Sequence, residues 1–214
     1  MRPIAGGVCS VCGERLFSPY AFSGEQGEPS CGLCRRLEPP FAKATAYGSY
    51  DGGLRDLIQL LKYEQMRPAA NVLGRMLAEA IADLESSFGE GKVLVVPVPL
   101  HRSKLRQRGF NQSELIARAA LKLKPAGDRL VLNANVLERR FAVTRPDEVA
   151  GRETLLVDDV FTTGTTVSEC ARLLRRAGVS KVWVATVART LKADAAHAEV
   201  ESEVEAGMRM AAHG

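Results

Sequence analysis

The sequence predicts an α/β protein, a doubly wound parallel sheet with a small ribbon at its N-terminus. Three observations lead there. Short apolar runs rich in β-branched residues alternate with amphipathic segments in the order strand, helix, strand, helix, strand, the pattern of parallel βαβ units. One of these runs ends in two carboxylates and a hydroxyl-rich turn, Asp158-Asp159-Val160-Phe161-Thr162-Thr163-Gly164-Thr165-Thr166. Ahead of them stand two Cys-x-x-Cys pairs, Cys9/Cys12 and Cys31/Cys34, separated by eighteen residues.

Residues 35–45 contain Pro39-Pro40 and connect the ribbon to the main domain. Leu54, Leu57, Ile58 and Leu61 then recur at helical spacing. A longer helix is marked by Leu73, Met76, Leu77, Ala80, Ile81 and Leu84, and Gly89 and Gly91 end it. Residues 93–98 are continuously apolar, as in a strand buried on both faces. Residues 111–123 place Leu115, Ile116, Ala119 and Leu123 on one helical face, with Asn111 or Ser113 as the cap. Residues 154–157 form the next buried strand, and residues 165–176 the next helix, stopped by Gly178. Residues 181–187 form a third strand. Ligands of doubly wound sheets sit beyond the C-terminal strand ends. Asp158 and Asp159 fall at such an end.

The four cysteines carry a specific chemistry. Each pair can clasp one side of a tetrahedral ion, and the spacer forms the ribbon between them. Gly13 and Gly32 follow ligand positions, where knuckle turns need small or φ-positive residues. The region has few large apolar residues, so a structural zinc on Cys9, Cys12, Cys31 and Cys34 would supply much of its folding free energy. Disulfides or a redox pair are the rival readings. Four thiolates leave no open coordination position, so the ion would be structural. Cys170 lies on a helical stripe with Val167, Ala171 and Leu174 and reads as a buried apolar cysteine.

The acidic turn suits a ribose phosphate. Adjacent carboxylates can accept hydrogen bonds from vicinal sugar hydroxyls. Threonine hydroxyls and main-chain N–H groups at a helix start can cradle a phosphate. An ordinary strand-turn-helix explains one Asp and one Gly, but not two carboxylates and four threonines together. Arg102, Lys104, Arg106 and Arg108 add four bases in seven residues. They could hold pyrophosphate or follow a single strand of DNA, with Phe110 available for stacking. A solvated basic loop is the alternative. His101 reads as a hydrogen-bonding loop residue with no proton-transfer role.

The Asp158 turn resembles the fingerprint for phosphoribosyl pyrophosphate (PRPP) in type I phosphoribosyltransferases. With Val96-Pro97-Val98-Pro99-Leu100-His101, Arg108-Gly109-Phe110-Asn111-Gln112 and the four cysteines, the chain resembles the ComF family over most of residues 1–192. These are phosphoribosyltransferase-like proteins associated with bacterial competence and DNA uptake. The resemblance implies a zinc ribbon over residues 1–40 and a phosphoribosyltransferase-like domain over 41–192, followed by an acidic tail, 193–214. It implies that Asp158 and Asp159, on which transfer would depend, contact the ribose 2′- and 3′-hydroxyls. Thr162, Thr163, Gly164, Thr165 and Thr166 would surround the 5′-phosphate. Val98, Pro99, Leu100 and His101 would form the pyrophosphate loop, with Mg2+ bridging phosphate oxygens. Lys62 matches a lysine recurrent in the family and equally suits the polar edge of an amphipathic helix.

The chain departs from the family in one place. An arginine- and threonine-rich stretch with a glutamine is shortened here, and residues 124–129 run almost directly into Leu130. That stretch lies near the mobile loop that closes over PRPP. Its loss leaves ligand binding intact and removes support for transfer.

The net charge of +4 conceals an asymmetry. Residues 193–214 hold five acids and one arginine, a balance of −4, so the rest of the chain carries +8. A basic body suits a polyanionic ligand. The tail's Ala196, Val200 and Val204 could line a thin helix, or the tail could be disordered. No apolar run is long enough to span a bilayer and no secretion signal opens the chain, so a cytoplasmic protein without membrane insertion is expected. Three functions remain: a phosphoribosyltransferase with an unknown acceptor, a PRPP- or nucleotide-binding protein that handles single-stranded DNA with DNA-uptake partners, and a structural adaptor.

Overall fold

The computed structural model describes residues 7–16, 28–125, 128–138 and 142–191. The acidic tail, with Ala196, Val200 and Val204, lies outside them, as do Phe141 and most of the spacer between the cysteine pairs. The elements, in chain order, begin with α1 (Gly32–Leu37), β1 (Lys43–Ser49), α2 (Gly52–Tyr63), α3 (Ala69–Glu85) and β2 (Val93–Pro97). Next come α4 (Arg102–Arg108), α5 (Gln112–Leu121), β3 (Leu130–Leu132), β4 (Leu137–Glu138) and β5 (Ala142–Val143). The last are α6 (Pro146–Val149), β6 (Glu153–Phe161), α7 (Thr165–Arg176) and β7 (Lys181–Arg189).

Five parallel strands form the central sheet in the order β1-β7-β6-β2-β3. Residues 93–97 are buried throughout, as a strand covered on both faces requires. One face packs against α2, α3 and α5 through Leu54, Ile58, Leu77, Ile81 and Ile116. The other packs against α7 and the cysteine module, where Val167, Cys170, Ala171 and Leu174 share a core with Cys9, Cys12, Cys31 and Cys34. The predicted burial of Cys170 and its stripe is therefore met.

The connections out of β2 and β6 leave on opposite faces, to α4–α5 and to α7. The C-terminal ends of these neighbouring strands are therefore the topological switch point, where such sheets take ligands.

Several elements differ from expectation. Residues 43–45, expected in a connector, instead open edge strand β1, which pairs with β7. The basic stretch expected as a loop is helix α4. His101 caps it, its Nδ1 accepting from the Ser103 amide at 3.4 Å. Gly13 has the expected positive φ of 71°, whereas Gly32 has none and opens α1. β6 extends four residues past Val157 because β7 continues beside it to Arg189. β2 leaves at Pro97, so Asp158 and Asp159 sit where one neighbour has departed rather than at a strand end. Among the described residues, no helix is long and apolar enough to cross a membrane.

Candidate functional site

The two acids occupy the point where β2 peels away from β6. The last bond between these strands runs from the Val98 amide to the Val157 carbonyl, at 2.8 Å. Beyond it Asp158 is half-buried, and Ser113 at the start of α5 donates its hydroxyl to Oδ1 at 2.8 Å. The Asp159 amide donates to the same oxygen at 2.9 Å. Burial, reinforced by the charge of Asp159, pushes the Asp158 carboxyl up to about 7 from its ordinary 3.8. The Ser113 and Asp159 hydrogen bonds and the Lys62 charge oppose that rise.

Asp159 is buried and points toward α2, where Lys62 Nζ lies 2.8 Å from Oδ2. The twin acids therefore have different surroundings. One is neutralised by a lysine, and the other is held by a hydroxyl and a main-chain amide.

The threonine turn follows. Thr162, Thr163, Thr165 and Thr166 are exposed, and Gly164 is buried between them. Gly164 has φ +77°, and a Cβ there would sit 2.6 Å from Phe161 Cζ. Only glycine satisfies both conditions. The Thr163 and Thr165 hydroxyls lie 2.8 Å apart. The turn opens α7, so it lies at the helix's positive end.

The 98–101 loop leaves β2 beside these acids, its Val98 amide bonded to the Val157 carbonyl. Asn111 fixes it, donating from Nδ2 to the Val98 carbonyl at 3.0 Å while its Oδ1 accepts from the Ser113 amide at 3.1 Å. One asparagine thus caps α5 and anchors the loop, and the next hydroxyl along holds Asp158. Val98 is buried, Pro99 and Leu100 are half-buried, and His101 is exposed. Pro99 and Leu100 also border a cavity of about 660 Å³, with Asn111, Glu114, Leu137 and Thr144 on its other sides.

The four bases divide. Arg102, Lys104 and Arg106 are exposed on α4. Arg108 is buried, donates to Gln112 Oε1 at 3.0 Å, and lies 5.3 Å over the Tyr63 ring. Phe110 is buried beneath Arg67, so it offers no stacking face. The exposed ring at this surface is Tyr63, 68% accessible.

The cysteine cluster lies on the far face of the sheet. All four sulfurs are within 4.8 Å of one another, all are buried, and none forms a disulfide. Cys12 and Cys31 Sγ are 3.7 Å apart. A tetrahedral zinc with bonds of about 2.3 Å sets sulfurs about 3.8 Å apart, so the donors fit that ion. The Cys34 amide points at Cys31 Sγ, at 3.5 Å. Burial pushes the Cys34 thiol up to about 12, and a hydrogen bond from Cys12 brings Cys9 down to about 4.

 The Cys34 rise to about 12 reflects the dryness of the cluster, and a cation there would let all four thiols ionise together.

Three contacts were beyond sequence reasoning. Ser113 read only as a possible cap, and nothing in its surroundings marked it as the partner of Asp158. Lys62 read as a family lysine or as the polar edge of a helix, and neither reading pointed to its buried ion pair with Asp159. Arg189, at the end of β7, carried no signal at all. It donates to the Cys12 carbonyl at 2.6 Å and to Glu14 Oε2 at 3.0 Å.

A five-stranded parallel sheet with an acidic, threonine-rich turn beside its switch point is the frame of a doubly wound ligand-binding domain. The chain belongs to the phosphoribosyl transferase domain family, whose profile matches residues 74–206, and within it to the ComF family. It is 30% identical to the DNA utilization protein YhgH of Escherichia coli (strain K12), over 86% of this chain and 91% of that protein. It is 28% identical to Competence protein F of Haemophilus influenzae, over 86% and 90%. Among solved structures it is similar to HGPRT-ase from Leishmania tarentolae in complex with GMP, with a TM-score of 0.38. The identity there is 15%, over 57% of this chain and 67% of that one.

Proposed function

We propose that the chain binds PRPP, or a closely related ribose phosphate, in the crevice between β2 and β6. The observation that carries this reading is the exposed threonine turn at the start of α7, directly after Asp158 and Asp159. Thr162, Thr163, Thr165 and Thr166, with the amides of the turn around Gly164, hold the 5′-phosphate. The Ser113 hydroxyl and the Asp159 amide both donate to Asp158 Oδ1, so Oδ2 is the oxygen that accepts from a ribose hydroxyl. Lys62 cancels the charge of Asp159 and so reduces the repulsion two carboxylates would exert on a polyanion. Main-chain amides of residues 98–101 hold the pyrophosphate from the other wall.

Among the described residues, no group of three acidic or histidine side chains forms a resident cation site. Mg2+ would therefore arrive with PRPP and supply charge neutralisation for the pyrophosphate. In transfer, the carbon–oxygen bond breaks with its electron pair leaving on pyrophosphate, the acceptor's lone pair bonds to the ribose carbon, and the acceptor's proton passes to the departing pyrophosphate. The carbon gains positive character on the way, and ionised Asp158 stabilises it, with Asp159 held beside it by Lys62, while the two loops fix its position. No side-chain nucleophile is required. The acceptor is unassigned.

A second reading has its own observations. Residues 124–129 run almost directly into Leu130, so the stretch expected near a closing loop is short in the sequence. Arg102, Lys104 and Arg106 with the Tyr63 ring offer a basic, stacking surface of the kind that holds single-stranded DNA. On this reading the chain senses PRPP without transfer and acts with DNA-uptake proteins in the cytoplasm. The names of its relatives, which speak of DNA utilization and competence, support it.

Thermal unfolding with PRPP and Mg2+ tests the binding shared by both readings. The melting point should rise for the wild type and not for the Asp158→Asn, Asp159→Asn double variant. Pyrophosphate release from PRPP plus candidate acceptors then separates transfer from binding alone.

A further inference from the structure

We infer that Arg189 and Phe161 tie the threonine turn to the cysteine cluster, so that a metal held at the cysteines and a ligand held at the turn stabilise one another. The inference rests on the reading of residues 162–166 as a phosphate loop.

Arg189 is the last residue of β7 and is 4% exposed. Its Nη1 donates to the Cys12 carbonyl at 2.6 Å. Its Nη2 donates to Glu14 Oε2 at 3.0 Å and lies 3.7 Å from Cys12 Sγ. The same guanidinium lies 4.4 Å over the ring of Phe161, its partner across β6 and β7. That ring fills the space under Gly164, where an added Cβ would meet Cζ at 2.6 Å and Cε1 at 2.9 Å. A third contact is with Phe41, whose ring stands perpendicular to that of Phe161 with centroids 6.2 Å apart. The path from a metal-ligating sulfur to the phosphate turn therefore runs through two buried side chains in direct contact.

The coupling follows from close packing. A metal fixes the four sulfurs, and with them the Cys12 carbonyl and sulfur that orient Arg189. The guanidinium fixes the Phe161 ring, and the ring sets the floor on which Gly164 turns. Interiors at crystal-like density transmit such displacements rather than absorb them. Arg189 touches no ligand, so it is a positioning residue. The effect is reciprocal: metal raises affinity at the turn, and occupancy of the turn retards loss of the metal.

The test measures release of zinc from the full, zinc-loaded chain into a chromogenic chelator, with and without saturating PRPP and Mg2+. The Asp158→Asn, Asp159→Asn double variant keeps all four cysteines and controls for zinc taken up by PRPP itself. PRPP is expected to slow release from the wild type by at least about fivefold, the lower end of ordinary coupling. It should leave the double variant unchanged. Arg189→Met and Phe161→Leu should each abolish the PRPP dependence, a result that simple destabilisation would not give. Gly164→Ala should speed release with no ligand present, because its methyl displaces the ring toward Arg189. If PRPP and Mg2+ raise the melting point of the zinc-loaded wild type but leave its release rate unchanged, the coupling is refuted and the phosphate-loop reading stands. If they do not raise the melting point, that reading fails and the coupling falls with it. Should a variant not fold, the wild-type comparison still decides.

Discussion

Lys62 Nζ lies 2.8 Å from Asp159 Oδ2, with the two side chains 16% and 6% exposed. This pair joins α2 to the middle of the sheet and sets the charge of the crevice. It separates two acids that are adjacent in sequence into a neutralised one and a titratable one.

Removing the lysine should be costly. Lys62→Met leaves Asp159 buried without its counter-charge and should lower unfolding free energy by about 3 kcal/mol. Adding Asp159→Asn should recover much of that loss, so the two changes will not be additive in urea denaturation. PRPP affinity should fall in Lys62→Met because a second negative charge then faces the polyanion.

The pH dependence of stability should report Asp158. Its carboxyl is raised to about 7 in the fold from an ordinary 3.8, so the folded state holds the proton more tightly. The stability this brings is fully present below about pH 4 and is lost as pH rises through about 7. Asp158→Asn does not titrate. Its melting point relative to wild type should therefore climb between pH 5 and pH 8.5 in Mg2+-free buffer. An unchanged difference over that range would contradict the assignment.

One tightly bound zinc per chain is expected on metal analysis. The cysteines share a core with α7, so stripping the metal should lower the melting point of the whole domain and not of a separate ribbon alone. Cys31→Ser should reproduce the loss.

If α4 meets DNA, the effect should be electrostatic. Replacing Arg102, Lys104 and Arg106 together by glutamine should weaken single-strand binding. It should also make the salt dependence of log K shallower by about two, at roughly 0.7 per neutralised phosphate. PRPP binding should survive, since these side chains are not part of the threonine turn.

The fold was largely legible because the strands are buried on both faces and the helices carry clear apolar stripes. Residues 93–97 and α7 show this best. β1 escaped notice because its burial is mixed and two prolines precede it. α4 escaped because a run of bases has no apolar stripe, and its helix rests on a His101 cap visible only in three dimensions. The acidic turn and the four cysteines were legible because local spacing alone carries their chemistry. Ser113, Lys62 and Arg189 were not, since each acts on a residue at least 45 positions away and only the sheet topology brings them together.

Calorimetric titration of the zinc-loaded protein with PRPP and Mg2+ at neutral pH is the most direct measurement of ligand capture by Asp158 and the threonine turn. One saturable site per chain, lost in the Asp158→Asn, Asp159→Asn variant, is the expected result. No saturable heat with the wild type, or an unaltered isotherm with the double variant, would contradict it.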